Sequence, residues 1–384
     1  MKVTVAIDSF KGSLSTFEAG EAAKNGIRRV YPDAEVFVRP IADGGEGTVE
    51  AIIRATGGSL VQADVTDPLG RPIKAQYGII KRTATAVIEM AAAAGITLVS
   101  PDERDPTVTS TYGVGQMIAD AIGRGCRRFI IGIGGSATND AGAGMLEALG
   151  FELLDKDGNV IPRGARGLAK VSSFRAYNSH PALEACTFKV ACDVKNPLCG
   201  ENGCSAVYGP QKGADPDKVK VMDLWMREYA DTVSRFYPSA DPTYPGAGAA
   251  GGMGFAFRTF LGGTLVSGVD LVIEETGLEE YIRQSDVVVT GEGRLDAQSC
   301  MGKAPTGVAS VAKRYSKPVI AFSGCVADGA EFCNEHGIDA FFPILRTPCT
   351  LEEAMDPSVA AKNLENTAQQ AFNLIKTFKK QEKT

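Results

Sequence analysis

Residues 129–144 read FIIGIGGSATNDAGAG, an apolar run that breaks into glycines and then into small polar residues. The run predicts a buried β-strand, and the apolar residues at Met145, Leu146 and Leu149 predict a helix directly after the loop. Backbone N–H groups at a helix start carry partial positive charge and suit an anion such as phosphate. A tight strand-to-helix turn would need the same glycines, because glycine readily adopts positive φ. The stretch alone leaves both interpretations open.

The composition of the 384-residue chain indicates a globular protein that acts on small molecules. The net charge is −6 and no basic arm or stripe is present, so we expect no nucleic-acid partner. Neither a signal-peptide pattern nor an apolar run of ~18 residues occurs, so we expect no membrane association and a cytoplasmic location. Nine cysteines without a signal indicate free thiols, and two histidines leave little scope for histidine-based catalysis.

Short apolar runs alternate with helical patterns along much of the chain. Ser15 and Glu18 predict a capping box at the start of the first helix. The alternation predicts parallel strands with helices on both faces of a sheet. The strands are predicted at residues 3–7, 35–41, 127–133, 286–290, 317–324 and 338–344.

Two stretches depart from this alternation. Residues 60–90 predict antiparallel strands around the turn Asp67-Pro68-Leu69-Gly70. Residues 151–275 combine long loops with short strand candidates (FELLD, FKVACDV and LVSGVDLVI) and a helix that begins at Asp215-Pro216. We therefore predict an α/β fold, with a Rossmann-like parallel-sheet domain built from both chain ends and a second, inserted mixed α/β domain. The first domain would comprise residues 1–60 and 280–384 together with 115–150, and the second about 61–279.

Four loops that follow predicted strands combine glycine with an acid and with a small hydroxyl or a lysine. They are AIDSFKGSLS (6–15), ADGGEGT (42–48), GGSATNDAGAG (134–144) and TGEGRLDAQSCMGKAPTG (290–307). Ligands of open α/β sheets bind at the carboxyl ends of strands, so we expect the four loops to converge on one cleft. Its acids would need cations such as Mg²⁺ or lysine to offset their repulsion. These acids are Asp8, Asp43, Glu46, Asp140, Glu292 and Asp296.

Several single features allow more than one interpretation. For Asp140 and Glu292 the alternative role is that of a helix N-cap. Gly132-x-Gly134-x-x-Ala137 fits the dinucleotide fingerprint, so an NAD-dependent oxidoreductase of a small hydroxy acid is a rival function. Asp140 at the helix start disfavours the oxidoreductase function, because the pyrophosphate of a dinucleotide prefers uncharged backbone at that place. The tract PGAGAAGGMGFAF (245–257) is either a backbone surface against a ligand or a hinge between domains.

Seven motifs taken together resemble those of the type-1 bacterial glycerate kinases, and the similarity runs nearly end to end. It implies ATP-dependent phosphorylation of D-glycerate at the 2-hydroxyl, giving 2-phosphoglycerate and ADP, with Mg²⁺ as a cofactor. ATP and D-glycerate would be the small-molecule partners, and a homo-oligomer is left open. A non-catalytic metabolite-binding protein is the second rival. The motifs are AIDSFKGSLS, IADGGEGT, GIGGSATNDAGAGMLEALG, ACDVKNPLCG, YGPQKGA, PGAGAAGGMGFA and TGEGRLDAQSCMGKAPTGVA.

The chemistry of phosphoryl transfer to glycerate suggests roles for residues in these motifs. Asp193 or Asp43 would act on the attacking hydroxyl, either as the base that receives its proton or as the group that orients it. Lys11 would be catalytic and, with Lys303, would contact phosphates. Arg294, favoured over Arg71, would bind the glycerate carboxylate, and Glu292 and Asp296 would hold Mg²⁺. The other binding candidates are Asp8, Ser9, Gly44, Gly45, Ser136, Thr138, Asn139 and Asn196.

Overall fold

The computed structural model describes residues 1–299 and 302–381, which form two compact units. The terminal unit consists of Met1–Asp43, Glu50–Thr56 and Val269–Thr384. The central unit consists of Gly44–Val49 and Gly57–Gly268. Among the described residues, no helix combines the length and the apolar character needed to cross a membrane.

The strands are β1 (Lys2–Ile7), β2 (Glu35–Val38), β3 (Ser59–Thr66), β4 (Pro72–Ile80), β5 (Thr85–Glu89), β6 (Arg128–Gly132), β7 (Glu152–Leu154), β8 (Ser173–Arg175), β9 (Thr187–Ala191), β10 (Thr264–Val266), β11 (Val287–Leu295), β12 (Val319–Val326) and β13 (Ala340–Pro343).

The helices are α1 (Thr16–Val30), α2 (Thr48–Thr56), α3 (Ala91–Ala94), α4 (Tyr112–Gly123), α5 (Ala143–Ala148), α6 (Ala165–Leu168), α7 (Cys204–Tyr208), α8 (Pro216–Phe236), α9 (Ala249–Leu261), α10 (Gly268–Thr276), α11 (Leu278–Gln284), α12 (Ala304–Arg314), α13 (Phe332–Glu335), α14 (Leu351–Met355) and α15 (Pro357–Gln381).

The terminal unit contains a parallel five-stranded sheet in the order β13-β12-β11-β1-β2. Successive side chains of a strand point to opposite faces. Val3 and Val5 of β1 pack in the core that α1 and α15 help to form, and Thr4 and Ala6, which alternate with them along the strand, are also buried. Both faces of the sheet are therefore covered, as the prediction of a doubly wound sheet requires.

Helix α1 begins where the sequence predicts a capping box. The Ser15 side chain accepts a hydrogen bond from the backbone N–H of Glu18 at 3.3 Å. The Glu18 carboxylate in turn accepts one from the backbone N–H of Ser15 at 2.9 Å. The two bonds satisfy N–H groups that a helix start leaves free, so α1 begins immediately after the loop that follows β1.

The central unit contains a mixed six-stranded sheet in the order β10-β9-β6-β5-β4-β3. The predicted antiparallel strands are confirmed: β3 pairs with β4 and β4 with β5 in antiparallel register. The remaining pairs are parallel, and β7 and β8 form a separate antiparallel pair. Helix α8 begins at the predicted Asp215-Pro216 pair, where the Asp215 side chain accepts from the N–H groups of Asp217 and Lys218.

Two sequence-based assignments differ from the structure. We expected residues 115–150 in the domain built from the chain ends, but β6 lies between β5 and β9 in the central sheet. A strand buried on both faces is a continuous apolar run, which does not reveal the sheet it joins. We also expected LVSGVDLVI to be a strand, whereas β10 ends at Val266 and α10 begins at Gly268.

Candidate active site

The terminal sheet changes its winding direction between β1 and β11. The chain passes from β1 through α1 to β2 on one side, and from β11 through α12 to β12 on the other. Loops that leave such a pair of strands diverge and open a crevice at their carboxyl ends, where ligands of open α/β sheets bind. A cavity of about 480 Å³ lies there. Its charged lining residues are Asp8, Lys11, Asp43, Glu292, Arg294, Asp296 and Lys303.

The loop after β1 is tightly folded. The Asp8 N–H donates to the Gly291 carbonyl of β11 at 2.8 Å. Phe10 and Leu14 then exchange backbone hydrogen bonds of 2.8 and 3.0 Å, which close a turn with the exposed Lys11 within it. The loop therefore places a buried acid, Asp8, and an exposed lysine, Lys11, in the cavity lining, where a lysine can contact a phosphate as a point charge.

Two acids of the cavity are buried. Burial, followed by repulsion from Asp43, raises the pKa of Asp8 to about 7. Burial also raises the pKa of Glu292. Both shifts show that a negative charge is disfavoured at this site unless a cation offsets it.

Three polar atoms of the cavity lining are buried and lack a hydrogen-bond partner within the described residues. They are Oγ of Ser9, Oγ of Ser13 and Oε1 of Glu292. Nearly all buried polar groups in folded proteins are paired with protein, water or ligand, so these atoms indicate a place for a polar ligand.

Arg294 and Asp296 lie next to each other at the end of β11. The Arg294 Nε atom is 3.4 Å from Asp296 Oδ2, and the Arg294 side chain is 65% exposed. Asp296 Oδ1 also accepts from the N–H groups of Gln298 and Ser299 at 2.9 and 3.3 Å, so Asp296 shapes the loop as well. Residues 300 and 301 of this motif lie outside the described residues.

Arg71, the alternative to Arg294, is engaged elsewhere. Its guanidinium donates to the Asp67 carboxylate at 2.5 Å and to the Glu103 carboxylate at 3.0 Å. These bonds hold the turn after β3 in the central unit. Arg294 therefore remains the better candidate for a substrate carboxylate.

Within residues 1–299 and 302–381, no group of three or more histidine, cysteine, aspartate or glutamate side chains is arranged to hold a metal ion. Mg²⁺ often uses only one or two protein carboxylates and completes its coordination with substrate phosphates and water. Glu292 fits such a site, because its unpartnered Oε1 atom is buried in the cavity lining.

In the central unit, Asp140 occupies the start of α5. It is fully buried and accepts from Thr111 N and Oγ1 at 2.8 and 3.0 Å, and from the N–H groups of Gly142 and Gly144 at 3.2 Å. The N-cap residue of α5 is Gly142, so Asp140 is not the N-cap that the sequence allowed, although its carboxylate accepts from two N–H groups at this helix start. The N–H groups of Gly142 and Gly144 bond to this carboxylate and that of Met145 donates to Thr111 Oγ1 at 2.9 Å, so these three groups are not free for a pyrophosphate.

A buried lysine lies beside the same loop. Lys212 ends a short 3₁₀ helix, and its Nζ atom donates to Ser136 Oγ at 2.8 Å and to the Thr138 carbonyl at 2.6 Å. Burial lowers its pKa to about 8. Thr138 Oγ1 and Asn139 Oδ1 are buried and have no hydrogen-bond partner within the described residues. We call Ser136, Thr138, Asn139 and Lys212 the central cluster.

The glycine tract 245–257 supports the central cluster. Gly251 and Gly252 have φ values of +69° and +97°. A Cβ atom at Gly251 would lie 2.1 Å from the Thr138 carbonyl oxygen, and one at Gly252 would lie 2.7 Å from Ala141 Cα. Only glycine permits this backbone approach. These two glycines thus pack against the chain's own loop.

Other predicted binding residues make contacts within the central unit. Gly44 packs against Ala191, where a Cβ would approach to 2.6 Å of the alanine methyl, and Gly45 lies against Gly134. Exposed Asp193 accepts from Gly268 N at 2.9 Å, at the first residue of α10.

Asn196 has one partner in its own loop and one at the end of helix α7. Its Oδ1 accepts from the Tyr208 hydroxyl at 2.7 Å, and its Nδ2 donates to the Asn202 carbonyl at 2.8 Å. Both ends of the amide are thus used to hold the loop, which gives Asn196 a structural role alongside the predicted one.

Sequence reasoning assigned no role to Lys212 or Glu89. Glu89 ends β5, accepts from Val49 N at 2.8 Å, and has a pKa raised to about 7 by burial. Two sequence features could have indicated these residues. Lys212 lies in the YGPQKGA motif, and Glu89 lies at the carboxyl end of a strand, where ligands of α/β sheets bind.

The sequence profile of the glycerate kinase family matches residues 3–376. The chain belongs to this family. Family membership makes it an enzyme, a kinase, as the sequence predicted, and this disfavours both rival functions.

Individual relatives agree with this family assignment. A glycerate 2-kinase of Escherichia coli K12 is 48% identical over 354 residues, which cover 92% of this chain and 93% of the relative. A glycerate kinase of Haemophilus influenzae is 44% identical over 375 residues, which cover 98% and 99%. A crystal structure from Salmonella typhimurium LT2, assigned as a glycerate kinase 2, has a TM-score of 0.90, 44% identity and 99% coverage of both chains. The predicted α/β fold is thereby confirmed.

Proposed function

We propose that the protein transfers a phosphoryl group from ATP to the 2-hydroxyl of D-glycerate, giving 2-phosphoglycerate and ADP, with Mg²⁺. Family membership supports the kinase reaction, and the name of the Escherichia coli relative supports the 2-hydroxyl. The observation that carries the proposal is the cavity at the β1–β11 switch point, where buried acids lie among lysines and an arginine.

The acids and cations of the cavity suit a magnesium-bound phosphate chain. Glu292, with Asp296 beside it, would hold Mg²⁺, which supplies positive charge to the phosphate oxygens when bound. Lys11 and Lys303 would contact the same phosphates, and Ser9 would donate its free hydroxyl. Positive charge near Asp8 would lower its raised pKa and stabilise its carboxylate form.

The attacking hydroxyl needs an acceptor for its proton. Asp43, which lines the cavity, and Asp193, which is exposed at the end of β9, are the two candidates. Arg294 would hold the glycerate carboxylate, since its guanidinium is largely exposed at the cavity. A planar guanidinium binds a carboxylate through two parallel hydrogen bonds, which would also orient the neighbouring hydroxyl.

The central cluster would bind an anionic group of substrate or product. Lys212 places a positive charge behind the loop, and Thr138 and Asn139 carry polar atoms without protein partners. Gly44, Gly45 and Asn196 would support the loops of the central unit through the packing described above.

Phosphorus NMR of the reaction with D-glycerate, ATP and Mg²⁺ tests the proposal. A phosphate on C2 couples to one carbon-bound proton and gives a doublet, whereas a phosphate on C3 couples to two and gives a triplet. We expect a doublet together with ADP. A triplet would refute the 2-hydroxyl assignment, and the absence of both product signals would refute the reaction.

We also propose that the protein is a cytoplasmic enzyme that acts on small molecules, which its cysteines and its net charge support. Eight of its cysteines are free thiols within the described residues, as a reducing compartment maintains. The net charge of −6 offers no general attraction for nucleic acid.

A further inference from the structure

The cavity of the terminal unit has two chemically different sides. One side carries the acids, lysines and arginine described above. The other side is apolar and comes from the chain after β13. It consists of Ile344, Leu345, Leu351, Ala354, Met355 and Ala360.

Two leucines of this apolar side are unusually exposed. Leu351 is 78% exposed and Leu345 is 39% exposed. Large apolar side chains beside a cavity gain free energy when a ligand covers them, because apolar surface leaves water. Their exposure indicates an apolar part of a ligand.

The position of Leu351 is held by the local fold. It is the first residue of α14, and Thr350 and Glu353 form a capping box directly around it. Thr350 N donates to Glu353 Oε2 at 2.9 Å, and Glu353 N donates to Thr350 Oγ1 at 3.2 Å. The apolar side is therefore preorganised for binding, which reduces the entropy lost when a ligand is bound.

We propose that this apolar side binds the base and ribose of the nucleotide, with the phosphates extending towards Lys11, Lys303 and Glu292. The assignment rests on the proposed function, because it takes ATP as the donor. Glycerate carries a carboxylate and two hydroxyls and has no apolar face to cover leucines. A purine has such a face, and the thioether of Met355 suits contact with an aromatic ring.

The size and charge of the cavity agree with this occupant. Its volume of about 480 Å³ falls within the ~300–1,000 Å³ of typical ligand pockets. Apolar side chains and charged groups share one cavity, and a nucleoside triphosphate likewise joins an apolar ring to a charged chain.

The test is the double variant Leu345→Ser with Leu351→Ser. Affinity for MgATP is measured by calorimetry, and Michaelis constants are measured separately for ATP and D-glycerate. We expect ATP affinity to fall about tenfold and the glycerate Michaelis constant to stay unchanged. Leu374→Ser, at an exposed leucine of α15 outside the cavity lining, is the matched control and should change neither.

Magnesium tripolyphosphate serves as a probe of the charged side alone. Its inhibition constant against ATP should be equal in the wild type and the double variant, because it lacks a base. Unchanged ATP affinity in the double variant, or an equal loss for tripolyphosphate, would overturn the assignment. An enzyme that binds ATP with this dependence but does not phosphorylate glycerate would instead refute the proposed function.

Discussion

The Nζ atom of Lys212 lies 2.8 Å from the Oγ atom of Ser136, in the interior of the central unit. The bond joins a short 3₁₀ helix to the loop that follows β6, two segments separated by 76 positions in the sequence. Burial disfavours the charged form of a lysine. A lysine at this buried position therefore indicates that its positive charge has a function at the loop after β6.

Replacement of Lys212 by Met removes that charge while nearly preserving side-chain length. We expect catalytic efficiency to fall at least about tenfold, because the cluster loses its positive group for an anion. Lys220→Met, at an exposed lysine of the neighbouring helix α8, should leave efficiency unchanged. Equal activity of both variants would remove Lys212 from the mechanism.

The pH profile separates this role from a purely structural one. The pKa of Lys212 is lowered to about 8, so the ammonium is lost as pH rises through that value. We expect wild-type activity to fall above pH 8 and Lys212→Met to lack this alkaline fall. An alkaline fall that persists in the variant would belong to another group.

The raised pKa of Asp8 predicts that the free energy of unfolding depends on pH. Its folded pKa of about 7 lies above the ordinary aspartate pKa of 3.8, so the folded state keeps the proton up to a higher pH than the unfolded state does. Stability contributed by this group is present below about pH 4 and is lost as pH rises to about 7. Asp8→Asn should thus stabilise the protein by about 2–4 kcal/mol at pH 8 and by almost nothing at pH 4.

Urea denaturation at both pH values measures this difference. Asp33→Asn, at an exposed acid of the same unit, is the control and should show no such dependence. A stabilisation by Asp8→Asn that is equal at the two pH values would contradict the explanation.

Asp140→Ala should destabilise the protein strongly. The substitution leaves two donor groups of Thr111 and the N–H groups of Gly142 and Gly144 without an acceptor in the interior. We expect a loss of about 3–5 kcal/mol, measured by urea denaturation. Asp155→Ala removes comparable backbone contacts at an exposed turn and should cost under about 1 kcal/mol.

Glu292→Gln tests the proposed magnesium site. The amide keeps the shape of the carboxylate and removes its charge, so the Mg²⁺ concentration for half-maximal activity should rise about tenfold or more. Thermal stability should not fall, because the burial that raises the pKa of Glu292 disfavours its charge. The control is Glu335→Gln, at an exposed acid of α13, which should leave the Mg²⁺ dependence of activity unchanged. An unchanged Mg²⁺ dependence in Glu292→Gln would refute the role of Glu292 as a metal ligand.

Signals from neighbouring residues were sufficient to predict many of the helices and strands. The capping box at Ser15, the hairpin around Asp67 and the helix start at Asp215 depend on residues within a few positions of each other, and all three appear where predicted. LVSGVDLVI shows the limit of such signals. Its apolar residues suit a strand or a helix equally, and α10 receives a contact at its first residue from Asp193, which is 75 positions away.

By itself, the sequence determined many of the helices and strands, the family and the polar character of the loops, because periodicity, capping residues and motifs are properties of neighbouring residues. Only the tertiary structure decided which contacts the polar residues of those loops make. Asp140, in the stretch 129–144, closes a helix start, and Lys212 and Ser136 form one buried pair. Asp8 and Glu292 meet at the β1–β11 switch point with shifted pKa values. Burial and long-range pairing set these outcomes, and both depend on which distant segments the fold brings together.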